Sequence, residues 1–131
     1  MHVEPSKVDS SFIDENPTYE NVYKVCKMYK LEYPKIVLAQ SVLETGHYTS
    51  EQCLKHNNLF GLYDSKNKRY YRFDHWAQSV MAYKDKVQYK YKGGDYYQFL
   101  DRIGYAQDSL YIRKVKIIKK KLENDILCTV D

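Results

Sequence analysis

The chain is poor in the residues that staple or interrupt a fold. Its 131 residues include three Cys, three Pro, five Gly and one Trp. The cysteines (Cys26, Cys53 and Cys128) are an odd set, which excludes full pairing within one chain, and with no C-x-x-C spacing no metal site is read from them. One bridge plus one free thiol, or three free thiols, stay open. The four histidines (His2, His47, His56 and His75) lack metal-ligand spacing, and no neighbouring Glu or Cys completes a site, so neither metal nor cofactor is expected. No apolar stretch approaches the length of a transmembrane segment. Met1-His2-Val3-Glu4-Pro5 has no signal-peptide apolar region, so an exported form is expected to be processed or to leave by another route. Internal repeats, low-complexity stretches and long linkers are also missing.

What is abundant is tyrosine, 15 residues against four Phe. A phenol combines a flat apolar face with a hydroxyl at low entropic cost, which suits sugar binding as well as core and rim filling. Most of these rings are expected to be filler. Lys plus Arg number 21 and Asp plus Glu 17, giving a net charge of +4. That mild excess favours an anionic partner only weakly. The basic run Arg113, Lys114, Lys116, Lys119, Lys120 and Lys121 reads as the solvated face of a helix. No nucleic-acid-binding motif accompanies it, so no nucleic-acid partner is expected. Oligomeric state is not written in these residue types.

The patterning predicts a mainly α chain with one small β-hairpin, divided into an N-terminal tail or arm over 1–16 and a single domain over 17–131. Pro17 opens a first helix through Val22, Val25, Cys26 and Tyr29. Pro34 enters a second helix that closes at Gly46, and Ser50 to Lys55 form a short third. Leu62-Tyr63 and Tyr70 to Phe73 are strand-like around the turn Asp64 to Lys68. Asp74 is expected to cap a long helix carrying Trp76, Val80, Tyr83, Val87 and Tyr91, stopped by Gly93-Gly94. Asp95 caps a short helix ending at Gly104, and Asp108 caps the last, with Tyr111, Val115, Ile118 and Leu122 on one stripe.

Three segments have the composition of a site. The first is the apolar run Ile36 to Leu43, which ends on Glu44. A carboxyl at the close of a buried helix is expected to have a raised pKa, as a general acid requires. Gln40 lies one helical turn before it on the same face. A solvent-exposed Glu at a frayed helix end, with Gln40 paired internally, accounts for the pattern as well. The second segment is Asn57-Asn58-Leu59-Phe60-Gly61, a turn in which Gly61 is suited to positive φ. The third is Gly104-Tyr105-Ala106-Gln107-Asp108-Ser109-Leu110-Tyr111, where Tyr105 either points into a cleft or plugs the core.

In order and spacing these segments, Ala39-Gln40-Ser41-Val42-Leu43-Glu44-Thr45-Gly46, Asn57 to Gly61 and Gly104 to Tyr111, resemble the glucosaminidase domain of bacterial cell-wall hydrolases, glycoside hydrolase family seventy-three. The resemblance covers roughly residues 17–120. It implies a lysozyme-like helical fold with a groove. It also implies hydrolysis of the β-1,4 bond after N-acetylglucosamine in peptidoglycan, an autolysin-type activity of the cell envelope or exterior. Glu44 matches the general acid, Tyr105 a tyrosine near the scissile bond, and Asn58 and Phe60 the groove floor. Gln40, His47, Asp64 and Tyr111 are further candidate contacts to the glycan strand. Two positions depart from the pattern. His47 stands where the family often has Trp, and the short hairpin offers only Asp64 as a second acid. The substrate's own N-acetyl group is then open as nucleophile. A catalytically weak peptidoglycan-binding module and a lytic transglycosylase are the alternatives.

Overall fold

The computed structural model describes residues 16–126. The expected arm over 1–16, apart from exposed Asn16, lies outside them, as does Cys128. The elements run α1 (Tyr19–Met28), α2 (Pro34–Thr45), α3 (Glu51–His56), β1 (Tyr63–Asp64), β2 (Arg69–Tyr70), α4 (Trp76–Lys86), a single 3-10 turn (Gln88–Lys90), α5 (Tyr96–Arg102) and α6 (Tyr111–Asp125). The mainly helical fold with one hairpin is therefore as the patterning predicts.

Helix α2 is the axis of the domain. Residues Ile36 to Val42 are all buried, so no face is left for water, as befits a helix that is apolar all round. Helices α1 and α6 pack against it from different sides, each through one apolar stripe: Val22, Val25 and Cys26 on α1, and Tyr111, Val115 and Leu122 on α6. Each aliphatic side chain so buried contributes about 1.5–3 kcal/mol. Pro34 occupies the first turn of α2, where its missing N–H has no partner to lose, and Gly46 closes the helix at φ 55°. Cys26 and Cys53 are both buried and free, which removes a bridge between them. Burial pushes their thiols up to about 12 and about 11.

Several boundaries differ from the sequence reading. Thr18, one residue after Pro17, caps α1 by accepting from the Asn21 amide at 3.1 Å. His75, not Asp74, caps α4: its Nδ1 accepts from the Ala77 amide at 3.0 Å, while Gln78 Oε1 accepts from the amides of both Asp74 and His75. The same helix ends at Lys86, well before Gly93, because the chain tightens into the 3-10 turn that carries Gln88 inward. Asp95 caps α5 as predicted. Asp108 instead braces the turn before α6, accepting from the Leu110 amide at 2.9 Å and pairing with Lys114 at 2.7 Å.

The hairpin is shorter than its sequence pattern. Only Tyr63–Tyr70 and Asp64–Arg69 pair as strand partners, and the Tyr71 amide adds one more bond to Leu62. Phe73 then leaves β2 and donates to the His56 carbonyl at 2.9 Å.

Candidate active site

The loop from Asn57 to Gly61 is built around Asn58, which is fully buried. Its Nδ2 donates to the carbonyls of Leu62 (2.9 Å) and Tyr71 (3.1 Å), and its Oδ1 accepts from the Leu62 amide (3.0 Å). One amide thus ties the base of the hairpin to the loop, which replaces the backbone pairing a longer ladder would supply. Phe60 is 2 % exposed and its ring lies 4.6 Å from that of Tyr83. Gly61 follows at φ +61°. A Cβ there would stand 3.1 Å from Glu44 Oε2. Glycine suits the position twice over, for the left-handed backbone and for the close approach of the carboxyl, which would have to give by a few tenths of an ångström to a Cβ.

Glu44 itself corrects the sequence expectation of a buried acid. Helix α2 is buried, but its last turn emerges from the core, so Glu44, Gly46 and His47 are exposed while Thr45 and Tyr48 stay inside. The Glu44 carboxyl is wetted on one side and crowded on the other. Lost hydration on the crowded side pushes its pKa above the ordinary carboxylate range, and a hydrogen bond donated by the Tyr111 hydroxyl pulls the other way. That combination leaves an acid that can be reached by a ligand and is weaker than a free glutamate.

Tyr105 joins the same junction from the α5–α6 connection. Its hydroxyl donates to the Phe60 carbonyl at 3.2 Å, and its ring stacks on Tyr111 at 5.6 Å. Burial holds the Tyr105 phenol well above its usual pKa, with the Glu44 charge adding to the effect. Tyr105 is half-buried, with its ring packed on Tyr111 and Tyr83. The three segments that carry the resemblance therefore meet at one carboxyl.

The other predicted positions fall at different distances from that point. Gln40 has no exposed surface. Its Nε2 donates to the Tyr111 hydroxyl (3.1 Å) and its Oε1 accepts from Tyr83 (2.5 Å), so it touches Glu44 only through Tyr111. Asn58 and Phe60 likewise offer no surface and shape the loop from beneath. Tyr111 is almost buried. His47 is exposed at φ 61°, with its Nδ1 2.6 Å from the Tyr19 hydroxyl. Asp64 is spent on its own turn, accepting from the Lys66 and Asn67 amides and from Asn67 Nδ2. A concavity of about 520 Å³ lined by Leu62, Tyr63, Tyr71, Asp85, Lys86, Val87 and Tyr89 lies against the hairpin, and Glu44 is not among its walls. Among the described residues no cluster of His, Cys, Asp and Glu is arranged to hold a metal, and no helix is long and apolar enough to cross a membrane. Tyr83, which the sequence reading placed on a helical stripe, proves with Tyr96 and Gln88 to be the hydrogen-bonded ground behind Gln40.

A helical domain that sets one weakened acid between a glycine turn and two tyrosines has the outline of a glycosidase. The chain belongs to the glucosaminidase family: the model of mannosyl-glycoprotein endo-beta-N-acetylglucosaminidase matches residues 10–124. Its fold is similar to that of a chain in a type VI secretion system effector–immunity complex from Pseudomonas protegens, with a TM-score of 0.65 and 16 % identity over 87 % of this chain and 90 % of that one. No curated protein matches the chain.

Proposed function

We propose that this protein hydrolyses the β-1,4 bond after N-acetylglucosamine in peptidoglycan, with Glu44 as general acid. The observation that carries the reading is the carboxyl itself, held at the meeting point of the three family segments with its acidity lowered by lost hydration. Glu44 gives its proton to the glycosidic oxygen as the bond from that oxygen to the anomeric carbon breaks. Asp64 is held in its own turn by Lys66 and Asn67, and in this reading the carbonyl oxygen of the substrate's N-acetyl group, not a protein carboxylate, closes on the anomeric carbon. Water then opens that ring and its proton returns to Glu44. Tyr105, anchored to Phe60, steadies the charge that develops on the sugar or orients the N-acetyl group. Exposed His47 and half-buried Tyr105 contact the glycan strand in this reading, and the cell envelope or exterior is the place of action.

The test is release of reducing ends from purified peptidoglycan, with mass spectrometry of the fragments. Wild type should yield reducing N-acetylglucosamine ends and Glu44→Gln should not. Equal rates for the two proteins would remove Glu44 from the mechanism. The committed state of Asp64 also favours a second reading, a lytic transglycosylase, which works with one acid. Anhydro ends in the same spectra would replace the hydrolase with that activity.

A further inference from the structure

The concavity beside the hairpin holds groups that the site at Glu44 does not use. Tyr63 and Tyr71 line it from the hairpin segment, Asp85 and Lys86 from the end of α4, and Tyr89 from the 3-10 turn. Its volume of about 520 Å³ falls within the range of about 300–1,000 Å³ typical of small-molecule sites. Tyr63 is 52 % exposed and Tyr89 61 %, so large ring surfaces are left open to solvent. Two contacts brace the walls before any ligand arrives. Tyr70 meets the Tyr63 ring edge-on at 5.2 Å, and Lys86 Nζ stands 4.6 Å from the centre of the Tyr71 ring.

The hydroxyls set this place apart. Tyr48, Tyr83, Tyr96 and Tyr111 each engage theirs with a protein partner. Among the described residues the hydroxyls of Tyr63, Tyr71 and Tyr89 have no hydrogen-bond partner, and Asp85 and Lys86 enter no ion pair. That combination selects a ligand. A carboxylate only accepts and an ammonium only donates. An anion would meet Asp85, a cation would meet Lys86, and an apolar ligand would cover both charges without giving them partners. A neutral polyol has hydroxyls that donate to Asp85 and accept from Lys86. A pyranose adds an apolar face of axial C–H bonds, which lies flat on a phenol ring.

We infer that this cavity is a binding subsite for pyranose units of the glycan strand, with Tyr63 and Tyr89 as stacking faces and Asp85 and Lys86 as partners of the sugar hydroxyls. The choice of a glycan rests on the function proposed for Glu44. Position favours it as well. Leu62, a wall of the cavity, directly follows Gly61, the residue against which the Glu44 carboxyl lies. Asn58 fixes that step, because it bonds both the amide and the carbonyl of Leu62. A strand long enough to pass from Glu44 to the hairpin engages both places, so the subsite favours long strands over short ones and holds the polymer without taking part in its cleavage.

The experiment uses the full chain as Glu44→Gln, to keep the ligand intact, and peptide-free β-1,4 oligomers of N-acetylglucosamine, followed by backbone-amide NMR. The hexasaccharide should shift the amides of Tyr63, Tyr71 and Tyr89. Tyr89→Ala in the same background should weaken hexasaccharide binding at least about fivefold, the loss expected when an anchoring tyrosine is truncated. Tyr89 is exposed and its hydroxyl is unbonded, so this change leaves the core untouched. Ile117→Ala truncates a half-exposed side chain on α6 and should leave the affinity in place. A hexasaccharide that moves none of the three amides, or that binds Tyr89→Ala as tightly as the parent, would overturn the inference. So would amides that respond only to peptide-bearing fragments of peptidoglycan, or tighter binding to Asp85→Asn, either of which would make the ligand a peptide carboxylate. Binding is read without catalysis. A protein that takes the hexasaccharide at these tyrosines but cleaves no peptidoglycan would sink the assigned hydrolase and keep the subsite, and an active hydrolase with silent tyrosines would do the reverse.

Discussion

Glu44 and Asp64 are carboxyls at the ends of short structural units, and the fold gives them opposite acid strengths. Asp64 sits in the hairpin turn with donors on both oxygens: the Lys66 amide at 3.1 Å, the Asn67 amide at 3.3 Å and Asn67 Nδ2 at 2.6 Å. Chief among these, the Asn67 side chain holds its pKa below the usual aspartate range. Glu44 has Tyr111 as its donor and protein atoms where water would be, and its pKa moves up. An acid that must hold a proton near neutrality has to be denied donors, and a turn is a poor place to do that. The largest effect should separate the two. Glu44→Gln should lower hydrolysis by about 10²–10⁴-fold, the usual contribution of a general acid. Asp64→Asn should stay within about twofold, as a surface substitution worth about 0.5 kcal/mol or less does. Comparable losses would mean that Asp64 is a second catalytic carboxyl and would end the contrast.

The same contrast can be probed through backbone. Gly61 and Gly104 have nearly equal φ, +61° and +64°, but a Cβ at Gly61 would stand 3.1 Å from Glu44 Oε2, whereas at Gly104 it would meet nothing within 4 Å. Alanine at either position carries the left-handed penalty of about 1–2 kcal/mol. Thermal melting should therefore fall similarly in Gly61→Ala and Gly104→Ala. Activity should part them, because only Gly61→Ala makes the acid give way, by a few tenths of an ångström, which should cost several-fold, well short of the about 100-fold that a 1 Å misplacement can cost. Equal activity in the two variants would show that Gly61 serves the turn alone.

Much of this arrangement was legible in the chain because it is local. Pro34 and Gly46 bracket α2, Asp95 caps α5, and the stripe Tyr111, Val115 and Leu122 faces the core, all from spacing and end chemistry. What spacing could not reveal is where a side chain finds a partner far along the sequence. Gln40 shares a face with Glu44 and so reads as a cleft residue, but its partners are Tyr83 and Tyr111, 43 and 71 residues away. Tyr83 and Tyr96 fit a helical core stripe so well that their hydroxyls carried no signal. The α4 boundary was missed for a related reason. The cap is a histidine helped by Gln78, and the stop is set by Gln88 reaching back to Glu32 rather than by the visible Gly93-Gly94.

A smaller effect should come from Tyr105, which links the two halves of the site. Tyr105→Phe removes the hydroxyl that donates to Phe60 at 3.2 Å and leaves the stacked ring in place. A neutral hydrogen bond contributes about 0.5–1.5 kcal/mol, so kcat should fall between about twofold and tenfold if the hydroxyl acts only by bracing the loop beside Glu44. A larger fall in kcat with an unchanged melting temperature would assign the hydroxyl a direct part in charge stabilisation on the sugar.

The smallest effect is on stability against pH, and there the two carboxyls should diverge in sign. Glu44 has a folded pKa above its unfolded one, so its contribution is fully present below the unfolded value and is lost as pH rises through the folded value. At neutral pH the ionised side chain weighs against the fold, and Glu44→Gln should melt slightly higher than wild type, with the gap closing in acid. Asp64 has a folded pKa below its unfolded one, so its contribution is present above the unfolded value and is lost as pH falls through the folded value. Asp64→Asn should accordingly melt slightly lower than wild type at neutral pH, and that gap should also close in acid. Both groups meet solvent, which keeps the shifts small, so the diagnostic is their direction in melting curves taken from acid to neutral pH. Shifts of the same sign at neutral pH would mean that the two carboxyls feel the fold alike, and the distinction between a crowded acid and a saturated one would no longer separate catalyst from turn.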